Sequence, residues 1–463
     1  MRRGMLIALV LAGCIFLVGS AADETIDVVN NQGWTVSDTG WAMLGDPNEL
    51  PGIEVRLNEF PFADMLGAET RELQLGSGAF DVLMGTEAWM PVLAPFMTPI
   101  TDFVEADPTV DLQEFKDSFF PLVLEQHSTD GIMTSTPIMG GVQIGYYLKD
   151  LFEDPAEQAA FKAEYGYDLP TPNENGVLHF SNEGQFLEVA QFFTRDTDGD
   201  GAIDLWGYVC PGQWGQGGCM FEDRLFRAGF YPWALLNEEY KCPWGSEYPE
   251  NWGVVESIAR FAQDLIWKYK VTPPEIVQYA YTDAILVYLS GKAAMSASWY
   301  HDFWGQVNSD EVIADIGETG TFSLDFHNRA PRAGTFAGFW GWGIASDTDS
   351  PQAAYEFVKW WSSEDTQRRM IEKAFLEGGG IYVPPNINAA AWAAGMGYIP
   401  PASYESTLDD LYTLPMIPEL PELRNAHRGL HEQLLLNEIT PIEFRQRSGE
   451  TIEQIMTDAG YYD

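Results

Sequence analysis

Residues 196–204, Asp-Thr-Asp-Gly-Asp-Gly-Ala-Ile-Asp, alternate carboxylates with small residues. Asp196, Asp198 and Asp200 occupy positions 1, 3 and 5 of a calcium loop. Gly201 sits at the sharp turn, Ala202 where a carbonyl would ligate, and Asp204 at position 9. Position 12 is Gly207, so the bidentate Glu of an EF-hand is absent. A carboxylate from elsewhere would have to complete a calcium shell; the competing reading is an Asx-rich turn between a helix and a strand. Catalytic patterns are missing. The chain has no Gly-x-Ser-x-Gly elbow, no His-Glu-x-x-His and no Gly-rich phosphate loop with Lys. No carboxylate pair can be singled out among 69 acids, so a glycosidase reading has no specific support. His427 and His431 are spaced to share a zinc ion, but two solvated imidazoles on a surface helix are the expected arrangement. No cofactor is expected for function, and any calcium would be structural.

The charge narrows the partners further. Sixty-nine acids face 25 Lys and Arg, a formal charge of −44, with the acids dispersed rather than in blocks. Nucleic acid needs a basic face and is excluded as a partner. A dispersed acidic, Lys-poor surface suits a saline exterior, where ions screen self-repulsion. The N-terminus, two Arg followed by an apolar run ending in Gly-Ser-Ala-Ala, reads as an export signal over 1–22. It also contains Leu-Ala-Gly-Cys at 11–14, a lipobox that would tether the mature protein through Cys14. The expected location is periplasmic or extracytoplasmic. Past the leader only Cys210, Cys219 and Cys242 remain. In an oxidising compartment they predict one disulfide and one thiol. Cys210–Cys219 is the first choice, since it closes a short Gly-rich loop, and Cys219–Cys242 is the alternative.

The elements that must position these residues alternate. "TIDVVN" and "GIEVRLNEF" read as strands, "FADMLGAETRELQLGSGAF" as a helix and "FDVLMG" as a third strand. That order implies a parallel α/β sheet with ligand loops at the strands' carboxyl ends, here 30–34 and 85–89. Near Gly140–Gly141 the chain is expected to cross to a second lobe. Ser350 as N-cap and Pro351 at the first helical position open a helix that buries Ala354, Phe357, Val358 and Trp361. Trp360 and Trp361 are assigned to packing. The last 45 residues read as loosely associated helices.

Five segments, in this order after an export signal, resemble the extracellular solute-binding proteins of ABC importers, the large family that includes maltose-binding protein. They are "SGAFDVLMGTEAWMPVLAPFMTPITDFV", "TPIMGGVQIGYYLKDLFED", "YLSGKAAMSASWYHDF", "GFWGWGIASDTDSPQAAYEFVKWWSSEDTQ" and, loosely, "PMIPELPELRNAHRGLHEQL". Residues 31–51 depart from the pattern, being short and Pro/Gly-broken where relatives carry a full helix. The resemblance implies two α/β lobes with the ligand cleft between them: 23–138 with 335–385 as the first lobe, 139–334 with 386–463 as the second. It implies no chemistry, hinge closure over a ligand, a membrane permease as partner, and a protein expected to act as a monomer. Some sugar-binding members of the class carry a calcium loop of this kind away from the ligand.

A sugar asks for flat apolar faces against its C–H groups and planar polar groups for its hydroxyls. The resemblance places such residues at Glu87 and Trp89 in "GTEAW", at Trp299 and Asp302 after the "KAAM" strand, and at Gly338, Trp340 and Trp342, with one of the two Trp turning to the core. Trp34 and Trp41 on the first loops, one of Tyr146 and Tyr147 at the crossing, and Tyr382 complete the expected ligand set. The expected function is capture of a mono- or oligosaccharide. The rivals are a polyamine or other cationic solute, a secreted carbohydrate-active enzyme, and a surface adhesion module that uses calcium.

Overall fold

The computed structural model describes residues 24–32, 35–129, 131–213, 221–230, 233–329, 335–408, 411–412 and 415–462. The 1–22 leader with Cys14, Trp34, and Cys219 with its expected bridge to Cys210 lie outside the described residues. Among these residues no helix is long and apolar enough to cross a membrane.

The strands in chain order are β1 (Glu24–Asn31), β2 (Ile53–Phe60), β3 (Val82–Thr86), β4 (Met97–Thr98), a hairpin of β5 (Ser128–Thr129) and β6 (Ile132–Met133), β7 (Ser135–Val142), β8 (Ile144–Leu148), β9 (Val177–Leu178), β10 (Met295–Ser298), β11 (Thr319–Phe322), β12 (Thr335–Ala345) and β13 (Leu411–Tyr412). They build two main sheets. The larger runs β13-β12-β3-β1-β2, with β4 and β7 also on β12; the smaller runs β10-β8-β11-β9. β1 is parallel to β2 and β3, as the βαβ reading requires. β12 returns antiparallel to β3 and β7. Only Gln143 separates β7 in the larger sheet from β8 in the smaller, so the chain changes lobes two residues after the predicted Gly pair.

Local signals explain most elements. Helix Phe62–Leu75 ends where Gly76 takes φ 58°, a left-handed C-cap that favours glycine. Helix Pro351–Ser362 buries Ala354, Phe357, Val358 and Trp361. Ser350 stands at its N-cap without a side-chain cap bond; its N–H instead donates to Thr348 Oγ1 at 3.0 Å. Trp361 meets Trp41, Trp342 and Phe357 in an aromatic core of the larger sheet. Among the described residues between β1 and β2 the helix is the short Asp38–Met43. The "WGYVC" exit from the Asp loop is not a full strand but meets Ala293 and Ser296 by two isolated parallel bridges.

The C-terminal helices are not loosely associated. Leu420–Leu435 and Pro441–Asp458 pack on Trp252–Trp267, and Leu423, Leu430, Leu434, Phe444, Ile452 and Met456 are buried. Gln263 donates to Leu434 O and Trp267 Nε1 to Leu435 O, satisfying carbonyls that the helix end leaves over, and Gln263 also reaches Ile439 O in the following turn. His427 and His431 correct the solvated expectation, because both are fully buried. His427 Nδ1 lies 2.9 Å from Leu423 O, and burial pushes its imidazole down to about 4. Cys242 is a buried free thiol.

Candidate ligand cleft

Three parallel strands end at one place. β1 delivers Asn31 and Gln32, β2 delivers Pro61 and Phe62, and β3 delivers Thr86 and Glu87 to the wall of a cavity of about 400 Å³. This is the carboxyl edge at which open α/β sheets bind ligands. β12 adds Phe336, Gly338 and Trp340. From the smaller sheet's side come Tyr281 and the turn after β10, with Trp299, His301 and Asp302. Helix Leu420–Leu435 contributes Arg424.

Aromatic rings make the two apolar walls. Phe62, 42 % exposed, stacks on Trp89 at 4.9 Å and meets Trp340 edge-on at 5.9 Å. Across the cavity Trp299 packs edge-on against Phe336 at 5.4 Å. Gly338 leaves a notch between the walls. A Cβ there would stand 3.2 Å from the Trp299 ring and 3.7 Å from Glu87 Oε2. Gly141 permits another close approach, since its Cβ would sit 2.5 Å from the His301 ring.

The charged and titratable groups of the lining sit in a poorly solvated place, and two of them, Glu87 and Asp302, are acids. Glu87 is 5 % exposed, and burial pushes its carboxyl up to about 7 against the pull of Arg424. Arg424 donates to Glu222 Oε2 at 2.9 Å. Glu222 Oε1 is buried without a hydrogen-bond partner among the described residues. His301 Nε2 lies 3.0 Å from Asp302 Oδ1, yet no donor is aimed at that oxygen, and His301 Nδ1 is also unpartnered. Burial, then the Asp302 charge, raises the Tyr281 hydroxyl well above its ordinary range. Such unpartnered buried atoms are costly unless something fills the cavity.

Of the expected ligand set, Glu87, Trp299, Asp302, Gly338 and Trp340 line the cavity. Trp89 is 8 % exposed at the N-cap of helix Met90–Leu93 and backs the Phe62–Trp340 wall. Trp41, Tyr146, Tyr147, Trp342 and Tyr382 are placed away from the lining. Trp340 and Trp342, two apart on β12, share a face, so position along the strand separates them. Trp340 pairs with Thr86, the last residue of β3, whereas Trp342 pairs with Met84 and joins the Trp41–Trp361 core. Both Tyr146 and Tyr147 are buried in the second lobe: Tyr146 Oη donates to Tyr300 O, and Tyr147 packs on Phe152 at 4.7 Å. Tyr382 is 1 % exposed. The sequence reading missed Phe62, Tyr281, His301, Phe336 and Arg424. Phe62 carried a usable signal, an aromatic directly after a strand and Pro61; Arg424, in a segment read only as loosely associated helices, carried none.

The Asp loop lies outside the cavity lining. One carboxylate oxygen each from Asp196, Asp198 and Asp204 lies within 4.8 Å of the others. Asp200 Oδ1 instead accepts from Ala202 N at 2.8 Å. Asp196 accepts from Gly199 N and Gly201 N, which hold its carboxyl below the ordinary range. The three-oxygen cluster fits a hard cation in donor chemistry, and the same bonds also build the Asx turn.

A family model described as bacterial extracellular solute-binding protein matches residues 38–368. Among solved structures, maltose-bound MalE3 of T. maritima superposes with a TM-score of 0.70 at 20 % identity, covering 93 % of this chain and 100 % of that one. An ABC transporter solute-binding protein of Agrobacterium vitis S4 with bound D-mannitol gives 0.69 at 18 %, covering 95 % and 100 %. The maltose/maltodextrin-binding domain MalE of Bdellovibrio bacteriovorus, bound to maltotriose, gives 0.67 at 17 %, covering 94 % and 100 %. At these identities the likeness establishes the two-lobe binding-protein fold.

Proposed function

This chain belongs to the bacterial extracellular solute-binding protein family, and we propose that it captures a mono- or oligosaccharide between its lobes for an ABC importer. The observation that carries the ligand class is the pairing of aromatic walls with buried carboxylates. Phe62, Trp340, Trp299 and Phe336 offer flat faces, while Glu87, Asp302, Asn31, Gln32 and Thr86 offer hydrogen-bond partners at the same strand ends. C–H faces of a pyranose stack on such rings, and its hydroxyls pair with such groups. The sugar and polyol ligands of the structurally similar proteins support the same class. Binding would satisfy the orphaned Asp302 oxygen and close the lobes about the β7–β8 and β12 crossings, giving the form a permease recognises. The ligand leaves unchanged, since capture needs no bond to break. Glu87 and Trp340 would hold the ligand from the first lobe and Trp299 and Asp302 from the second, so closure and binding are one event.

The test is a thermal-shift screen of neutral sugars, amino sugars, polyols and linear amines. A specific sugar should raise Tm in a concentration-dependent way by mass action. If linear amines raise it and no sugar does, the ligand class is wrong.

We also propose calcium as a brace on the second lobe, held by Asp196, Asp198 and Asp204. The lobe division given by the sequence, extracytoplasmic location, lipid attachment at Cys14 and monomeric action belong to the same reading.

A further inference from the structure

Among the described lining residues the acids are not balanced by free bases, and the imbalance has an address. Two carboxylates face the cavity, Glu87 and Asp302; both residues are at least nine-tenths buried at the side chain or overall. Arg424 is the one Lys or Arg among the described lining residues, and Glu222 already neutralises it at 2.9 Å. The rim of the Trp299 ring and Glu87 Oε2 converge beside Gly338, 3.2 and 3.7 Å from where a Cβ would stand, so even a methyl group there would crowd the indole. A carboxylate and an indole meeting beside a residue with no side chain are the complement of an ammonium group. A hydroxyl would leave Glu87 with only the Arg424 charge and backbone hydrogen bonds to offset its burial.

We propose that the cleft selects an amino sugar, with its ammonium seated in the Gly338 notch between Glu87 and Trp299. This rests on the sugar-capture reading above and names the substrate class within it. The sugar ring supplies the faces for Trp340 and Phe62, and Asp302 takes hydroxyls or a second amine at the other end. The overall charge of −44 adds long-range attraction for a cation and repels an anion.

Calorimetric titration at pH 7, where a sugar amine still carries its proton and the Glu87 carboxyl is ionising, compares glucosamine with glucose and N-acetylglucosamine, and deacetylated chitobiose with chitobiose and cellobiose. An amine should bind at least ten-fold tighter than its hydroxyl or acetamido counterpart, and added salt should erode that preference. Glu87→Gln should collapse the preference toward one, and Gly338→Ala, which fills the notch, should do the same; melting curves check that both variants fold. Equal or tighter binding of the neutral counterparts overturns the ammonium assignment and leaves sugar capture standing. Failure of every sugar in the panel, with binding of some other solute, overturns both.

Discussion

Glu87→Gln should make the unliganded protein more stable, and only above a defined pH. The Glu87 carboxyl sits near 7 in the folded chain against an ordinary value of 4.5, because burial strips its solvation. Between those two values the folded state holds a proton that the unfolded state has released. Stability therefore falls as pH rises through this window and carries the full penalty above 7. At about 1.4 kcal/mol per pH unit, the gap amounts to about 3.5 kcal/mol. Gln keeps the shape and stays neutral, so the variant escapes the penalty. Tm should be followed from pH 4.5 to 8.5 for both proteins, as a difference, since a two-lobe chain need not melt in one step. The curves should coincide near pH 4.5 and diverge by a few degrees at pH 8, with the variant higher. Parallel curves, or a wild type that gains on the variant as pH rises, would refute a Glu87 whose burial outweighs the pull of Arg424.

Other perturbations test other parts. Trp299→Ala removes a cleft wall and should weaken sugar binding by about 2 kcal/mol, roughly 30-fold, read by titration calorimetry. Asp223→Ala removes the carboxylate that Arg227 Nε reaches at 2.6 Å and Phe336 N at 3.0 Å, with both Asp223 and Arg227 buried. Unfolding by urea should show about 3–5 kcal/mol of lost stability. Chelation of calcium should lower Tm while leaving sugar affinity nearly unchanged; a large affinity loss would place the ion in the cleft.

Local patterns carried most of the fold. The buried face of Pro351–Ser362 follows from residue spacing alone, as do the strands that end at Asn31, Phe60 and Thr86. Glu87, Trp299, Asp302, Gly338 and Trp340 were legible through the family resemblance; the first three follow readable strands, whereas Gly338 and Trp340 lie inside β12. Trp41, Tyr146, Trp342 and Tyr382 have the same residue types as the cleft aromatics, yet they fill the core. Composition does not distinguish a ring that stacks on ligand from one that stacks on another ring. Arg424 reaches the cleft only because the last helices pack on Trp252–Trp267, a long-range event that leaves no local mark. The burial of His427 and His431 was hidden for the same reason.

The most direct test is the crystal structure of the complex with whichever sugar gives the largest thermal shift. The ring should lie between Trp299 and Trp340, with Glu87 and Asp302 within hydrogen-bond distance and the ligand intact. A sugar seated outside this cleft, or one recovered cleaved, would contradict capture by lobe closure.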